Sequence, residues 1–324
     1  MYRKKLQWIF LVASAAALLP FVLSASSTFQ FTQLIAMGIA LMGLNVFTGW
    51  TGQPSLGHGA FFGLGAYLTA ILLVAGVPWW LAMLISALGV AMIAVLLGHP
   101  LLKLSHTNLA LATLALALAF PQLLRHPSVS NWTGGSRGLE ITGPVLPAWA
   151  NEYVSNDALI YWVALVVAVV LAAVMAVLGG GRAGLVLRSI RDNPVAAEAT
   201  GTDVGRSKRF AFAGSASAAA LGGSLYVLNV EFISPESFQS FLSLMMLVSL
   251  VVGGPGTLLG PWIGAAFLQF VPAWAERIST AMPWGFFGLA VLIVAFFSPR
   301  GIAGLIPRVS KYVADLYALN KPSP

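Results

Sequence analysis

Apolar segments recur along the whole chain, at about 7–25, 30–48, 55–75, 79–98, 106–124, 158–178, 210–229, 240–254, 260–275 and 284–298. Roughly 20 apolar residues cross the hydrocarbon core of a bilayer as a helix. The expected fold is therefore all-α: a polytopic helical membrane protein of about ten transmembrane helices. Composition agrees, because only 8% of the 324 residues are charged and 58% are hydrophobic. A soluble domain carries about 25% charged residues.

The net charge of +7 does not point to nucleic acid, because its distribution follows a membrane. Basic residues cluster at Arg3-Lys4-Lys5, between Arg182 and Arg209, and from Arg300 to Lys321. Cytoplasmic loops carry such an excess. With ten crossings, cytoplasmic N- and C-termini place all three clusters on that side. The chain then divides, within one domain spanning 1–324, into six helices over 1–178, a basic loop over 179–209, four helices over 210–298 and a cytoplasmic tail over 299–324. The loop 125–157 falls outside, as does 230–239 with Glu231 and Glu236. The N-terminus resembles a signal peptide but is read as an uncleaved first transmembrane helix.

Between the second and third segments lies Gly49-Trp50-Thr51-Gly52-Gln53-Pro54-Ser55-Leu56-Gly57-His58-Gly59. Glycine costs about 1 kcal/mol in a helix interior and proline about 3. A polytopic protein accepts such a stretch where backbones pack closely or an unwound segment lines a cavity. A second Gly-rich stretch, 253–264, occupies a comparable place in the other half, and repeat-built transporters break helices at such positions.

No Gly-x-x-x-x-Gly-Lys-Ser/Thr loop is present, so the chain does not itself bind ATP in that manner. Cysteine is absent, and no clustered metal ligands or Ser/His/Asp set stands out. The expected helix centres hold no Asp or Glu, whereas ion-coupled carriers usually keep an ionisable group there. Energy comes from elsewhere, or the protein is a passive channel.

The loop 179–209 contains a short punctuated helix. Asp192 or Asn193 serves as N-cap, Pro194 as first helical residue and Gly201 as the left-handed terminus. Two turns are not stable alone, so the helix needs a surface, and it reads as a partner-docking element or as a plain solvated loop.

These stretches resemble the permease subunits of high-affinity branched-chain amino acid ABC importers, the LivH/LivM family and its LivM branch in particular. The resemblance rests on Gly49–Tyr67, Leu109–Ala115, Thr133–Leu139, Leu187–Gly201, Ile233–Phe238, Val252–Pro261 and Phe297–Gly301. It implies a bacterial inner-membrane, multi-pass transport subunit that is not itself an enzyme and binds no cofactor. The implied partners are a LivH-like second permease, two ABC ATPase subunits, a periplasmic substrate-binding protein and membrane lipid. The cargo would be branched-chain or related hydrophobic amino acids. Urea, short amides or other small carboxylates remain alternatives, as does a self-sufficient secondary carrier or channel from another class. The resemblance also makes 179–209 a coupling loop, with Arg191, Asp192, Asn193, Pro194, Ala197, Glu198 and Gly201 facing the ATPase.

For the translocation path the residues offered are Thr51, Gly52, Gln53, Ser55, Gly57, His58 and Gly59. His58 reads either as a pore-lining donor or as a packing residue held by a backbone carbonyl. Thr51 and Ser55 read as substrate donors or as turn caps. Met245 and Met246 read as packing.

Overall fold

A computed structural model describes residues 2–143, 155–278, 282–298 and 300–305. The main helices, with a four-residue helical turn at Leu19–Val22 between the first two, are α1 (Tyr2–Ala17), α2 (Ala25–Leu44), α3 (His58–Val74), α4 (Trp79–Leu101), α5 (His106–Arg125), α6 (Pro127–Thr133), α7 (Asn156–Gly180), α8 (Arg182–Asp192), α9 (Pro194–Ala199), α10 (Val204–Val230), α11 (Ser240–Gly253), α12 (Gly260–Ile278) and α13 (Pro283–Phe297). Each of the ten expected apolar segments falls on helix. Among the described residues, six helices are long and apolar enough to cross a membrane: α2 with its extension to Trp50, α4, α5, α7, α10 and the stretch beginning at Pro283. Ile9–Val22, α3 and α11 are apolar but shorter. Residues 144–154, inside the expected external loop 125–157, and 306–324, most of the expected tail, lie outside the described residues.

The bundle is organised around α10, which packs against α2, α3 and α4. Its buried positions are mostly small, including Ala211, Ala216, Ala219, Ala220, Gly222 and Gly223. Small residues let helix backbones approach closely where lipid offers no hydrophobic drive for association. Gly223 shows the consequence: a Cβ there would overlap the carbonyl oxygen of Phe62 on α3. One cluster of buried hydroxyls in this packing satisfies itself, as burial favours. Thr69 Oγ1 lies 2.9 Å from Ser86 Oγ and 2.7 Å from Ser224 Oγ, joining α3, α4 and α10.

Helix α1 docks on α7. The Tyr161 hydroxyl donates to Ala16 O at 2.8 Å, and Trp162 Nε1 donates to Ala17 O at 3.1 Å. One feature departs from a purely helical fold. Leu139–Glu140 (β1) and Phe232–Ile233 (β2) form an antiparallel pair in the register Leu139↔Ile233. Backbone length and apolar periodicity do not signal a ribbon of two residues per strand.

Candidate functional site

Both Gly-rich stretches are breaks between helices. α2 widens into a π-helical turn over Asn45–Trp50, and the chain then runs irregularly to α3 at His58. The third expected segment thus begins after the break, as the short α3. The other break, 254–259, separates α11 from α12. Segments of π-helix occur frequently at functional sites.

One side chain joins the two breaks. Asn45 is fully buried. Its Nδ2 donates to Thr257 O at 2.7 Å, and its Oδ1 accepts from Gly256 N at 2.6 Å. Both halves of the amide therefore replace the backbone partners that the broken helices lack. Gly49 sits in the same contact, and a Cβ on it would come within 2.6 Å of Gly256 N.

Helix α8, in the basic loop, reaches this junction through Arg191. Its Nη1 donates to Gly49 O at 2.7 Å. Gly52, at φ +71°, passes beneath the same side chain, and a Cβ there would stand 2.9 Å from Arg191 Cγ. Arg191 thus contacts the break rather than only facing outward. The remainder of the loop is built as its residue types require. Asn193 Oδ1 accepts from Val195 N at 3.0 Å and Ala196 N at 3.1 Å, and Pro194 occupies the first turn of α9. At the far end Thr202 N donates to Ala197 O at 3.1 Å and Gly201 N to Glu198 O at 2.9 Å. Gly201 has φ +82°. This pairing is a Schellman terminus, in which a left-handed glycine lets two orphan carbonyls be satisfied. Of the two N-cap candidates, Asn193 holds the position and Asp192 ends α8.

Ala197 anchors α9 by burying against Ile190, Val204 and Val186. Asp192, Val195, Glu198 and Ala199 are exposed. The outer face of α9 is consequently free among the described residues, and Val195 presents an apolar side chain 74% exposed.

The path candidates are buried, apart from the half-buried Gly52, and mostly bonded. Thr51 Oγ1 donates to Phe47 O at 2.5 Å. Gln53 Nε2 lies 3.4 Å from His106 Nε2. His58 Nε2 lies 2.8 Å from Ala40 O. A carbonyl only accepts, so this nitrogen is the donor, and the arrangement is that of a packing residue held by backbone. Gly59 N donates to Ser243 Oγ at 2.9 Å, and Leu56 N to Thr113 Oγ1 at 3.0 Å. Gly57 lies against Thr113. Ser55 differs, because its buried hydroxyl has no partner among the described residues. Among the described residues the buried polar side chains are those of Thr, Ser, Asn, Gln and His, with no Asp, Glu, Lys or Arg. Met245 and Met246 are buried in the helical core.

The comparisons with known proteins bear on this arrangement. Residues 27–303 match the family model described as branched-chain amino acid transport system / permease component. The chain belongs to that permease family. It is 31% identical over 322 residues to the Escherichia coli (strain K12) high-affinity branched-chain amino acid transport system permease protein LivM, covering 91% of this chain and 75% of that protein. The corresponding LivM of Salmonella typhimurium is 31% identical over 273 residues, covering 77% of this chain and 63% of that protein. No solved structure matches the chain.

Within this branched-chain permease, sequence reasoning did not find Asn45, Thr113 or Ser243. Each is one of several polar residues scattered through apolar helical sequence, and nothing local sets it apart. Their partners lie 57 to 212 residues away in the chain, so neither spacing nor periodicity reveals the pairing. The ribbon missed by sequence joins two family-like stretches, Thr133–Leu139 and Ile233–Phe238. There Ile141 N donates to Glu231 O at 2.9 Å, and Glu236 pairs with Arg125.

Proposed function

We propose that this chain is the permease subunit of an ATP-driven ABC importer in the bacterial inner membrane. With a LivH-like second permease it forms the path for branched-chain or related hydrophobic amino acids. Two ATPase subunits drive the pair of permeases, one of them docking on α9, and a periplasmic binding protein delivers substrate at the ribbon end. The chain crosses the membrane about ten times with both termini cytoplasmic, as one domain divided as its charge pattern indicates. It hydrolyses nothing and holds no cofactor.

The observation that carries this reading is the link from an exposed, doubly capped helix to the breaks. α9 is short and rigid, so it moves as a body when its outer face is displaced. Arg191 transmits that displacement to Gly49, and Asn45 passes it on to Gly256 and Thr257. The breaks are where a bundle of packed helices deforms with least loss of backbone bonding. α3 and α11 have 17 and 14 residues, fewer than the roughly 20 of a full span. Discontinuous helices of this kind form transporter binding sites near the bilayer midplane.

On this reading Thr51, Gly52, Gln53, Ser55, Gly57, His58 and Gly59 shape the path wall. Ser55, with its free buried hydroxyl, is the group with bonding capacity left for a passing substrate. A path without buried charge binds a zwitterion weakly and lets it leave, so selection rests with the binding protein. The test is reconstitution in proteoliposomes with the second permease, the ATPases and the binding protein. ATP-dependent leucine, isoleucine or valine uptake is expected. Deletion of 194–200 should abolish ATPase co-purification while membrane insertion persists. Robust uptake by this chain alone, or unchanged ATPase retention after the deletion, overturns the proposal.

A further inference from the structure

An apolar cleft of about 690 Å³ opens between α2, α7, α8 and α10, beside the π-helical turn that begins the first break. Its volume lies inside the roughly 300–1,000 Å³ of small-molecule sites. Met42, Trp50, Met175 and Leu221 line its depth, and Val174, Leu178 and Phe210 stand at its rim with 43%, 46% and 66% of their surface exposed. The cleft is therefore open sideways, toward whatever surrounds the bundle.

The charge at its mouth is of one sign. Arg182, at the start of α8, lines the cleft. Arg206 lies over the ring of the lining Phe210, its guanidinium carbon 5.6 Å from the centroid. Neither guanidinium has a carboxylate partner among the described residues. The acid near Arg206 in sequence, Asp203, accepts the α10 N-terminal amide of Arg206 at 2.8 Å. No Asp or Glu lines the cleft, and Ser207 is a further polar residue of its lining.

We infer that this cleft holds one anionic phospholipid. An acyl chain fills the apolar depth, and the phosphate sits between Arg182 and Arg206, with Ser207 able to donate to it. A basic mouth on an apolar space between transmembrane helices suits that ligand class. Two unpaired arginines beside hydrocarbon also supply what a neutral protein surface or a zwitterionic lipid leaves unmatched. The inference concerns the chain alone and does not depend on its coupling to an ATPase.

The test is native mass spectrometry of the purified chain, mildly delipidated and then offered phosphatidylglycerol or phosphatidylethanolamine. Wild type should retain one phosphatidylglycerol in preference to phosphatidylethanolamine. Arg182→Gln and Arg206→Gln should each reduce that preference about fivefold, the size expected for one basic side chain near an anionic lipid surface. Arg188→Gln, in the same loop but not lining the cleft, should leave it unchanged. Gly214→Leu, which fills the cleft, should reduce retention of both lipids, so a loss is readable even if one arginine variant misfolds. Equal retention of the two lipids by wild type overturns the assignment. So does efficient photo-crosslinking of a second permease by a benzophenone maleimide attached to Ser217→Cys in membranes, which would show protein rather than lipid covering the cleft.

Discussion

The two ends of α10 are held by different physics. Its 27 residues put those ends roughly 40 Å apart. At the C-terminal end Phe238 inserts beneath the ribbon into a ring of aromatics. Its centroid lies 5.8 Å from Tyr67, 6.1 Å from Phe62, 6.2 Å from Tyr226 and 6.5 Å from Phe120. At the N-terminal end the chain is joined by directional hydrogen bonds to irregular backbone: Arg191 to Gly49, Asn45 to Gly256 and Thr257. Aromatic packing is dense and resists any displacement, because contacts fade quickly with distance. A few hydrogen bonds fix direction but let the joined segments shift together. The contrast suits a molecule with one fixed end and one end through which a push is delivered.

The largest expected effect tests the fixed end. Phe238→Ala removes a side chain that is 1% exposed and opens a cavity between three helices. Such substitutions cost about 3–5 kcal/mol. Thermal unfolding of the detergent-solubilised chain should show a large drop in stability, with transport lost in proportion to folded protein. A loss below about 1 kcal/mol would mean the aromatic ring is not what closes this end.

A smaller effect on stability, but a sharper one on function, is expected at the other end. Arg191→Gln gives up a charged donor to one carbonyl, a bond worth about 1.5–3 kcal/mol. Amino acid transported per ATP hydrolysed should fall roughly tenfold, the lower end of that range converted at 1.4 kcal/mol per decade. ATPase co-purification should persist, because the outer face of α9 is untouched. Arg191→Lys should restore part of the ratio, since an ammonium still donates to a single carbonyl. If Arg191→Gln instead unfolds the chain as Phe238→Ala does, the two ends do not differ in kind.

How legible the two ends were differs in the same way. The helices were readable because burial in lipid demands long apolar runs. α9 was readable because Asn193, Pro194 and Gly201 act locally, within a few residues of the backbone they cap. The Gly-rich stretches were readable as breaks because glycine and proline act on their own φ and ψ. Asn45 was not, since its partners Gly256 and Thr257 become neighbours only when α2 and α11 pack. Phe238 likewise reads as one more apolar residue until Tyr67, Phe120 and Tyr226 converge on it. His58 lay between the two cases. Its flanking glycines announced a close approach, but only the fold supplies the Ala40 carbonyl that occupies its ring.

The smallest expected effect asks whether charge adds to the fixed end. Arg125 and Glu236 form an ion pair beside the ribbon, with the Glu236 side chain 64% exposed and that of Arg125 29%. Glu236 also accepts from Gln239 Nε2 at 2.5 Å. An exposed pair of this kind contributes about 0–1 kcal/mol and is weakened further by salt. Arg125→Gln should therefore shift the unfolding midpoint by a few degrees at most, and the shift should shrink as ionic strength rises. A shift comparable to that of Phe238→Ala, persisting at high salt, would mean the ribbon end is locked by the ion pair as much as by packing. Its contrast with the hydrogen-bonded end would then lie in geometry alone: Arg125 reaches a carboxylate on the turn that follows the ribbon, whereas Arg191 reaches a carbonyl on an open break.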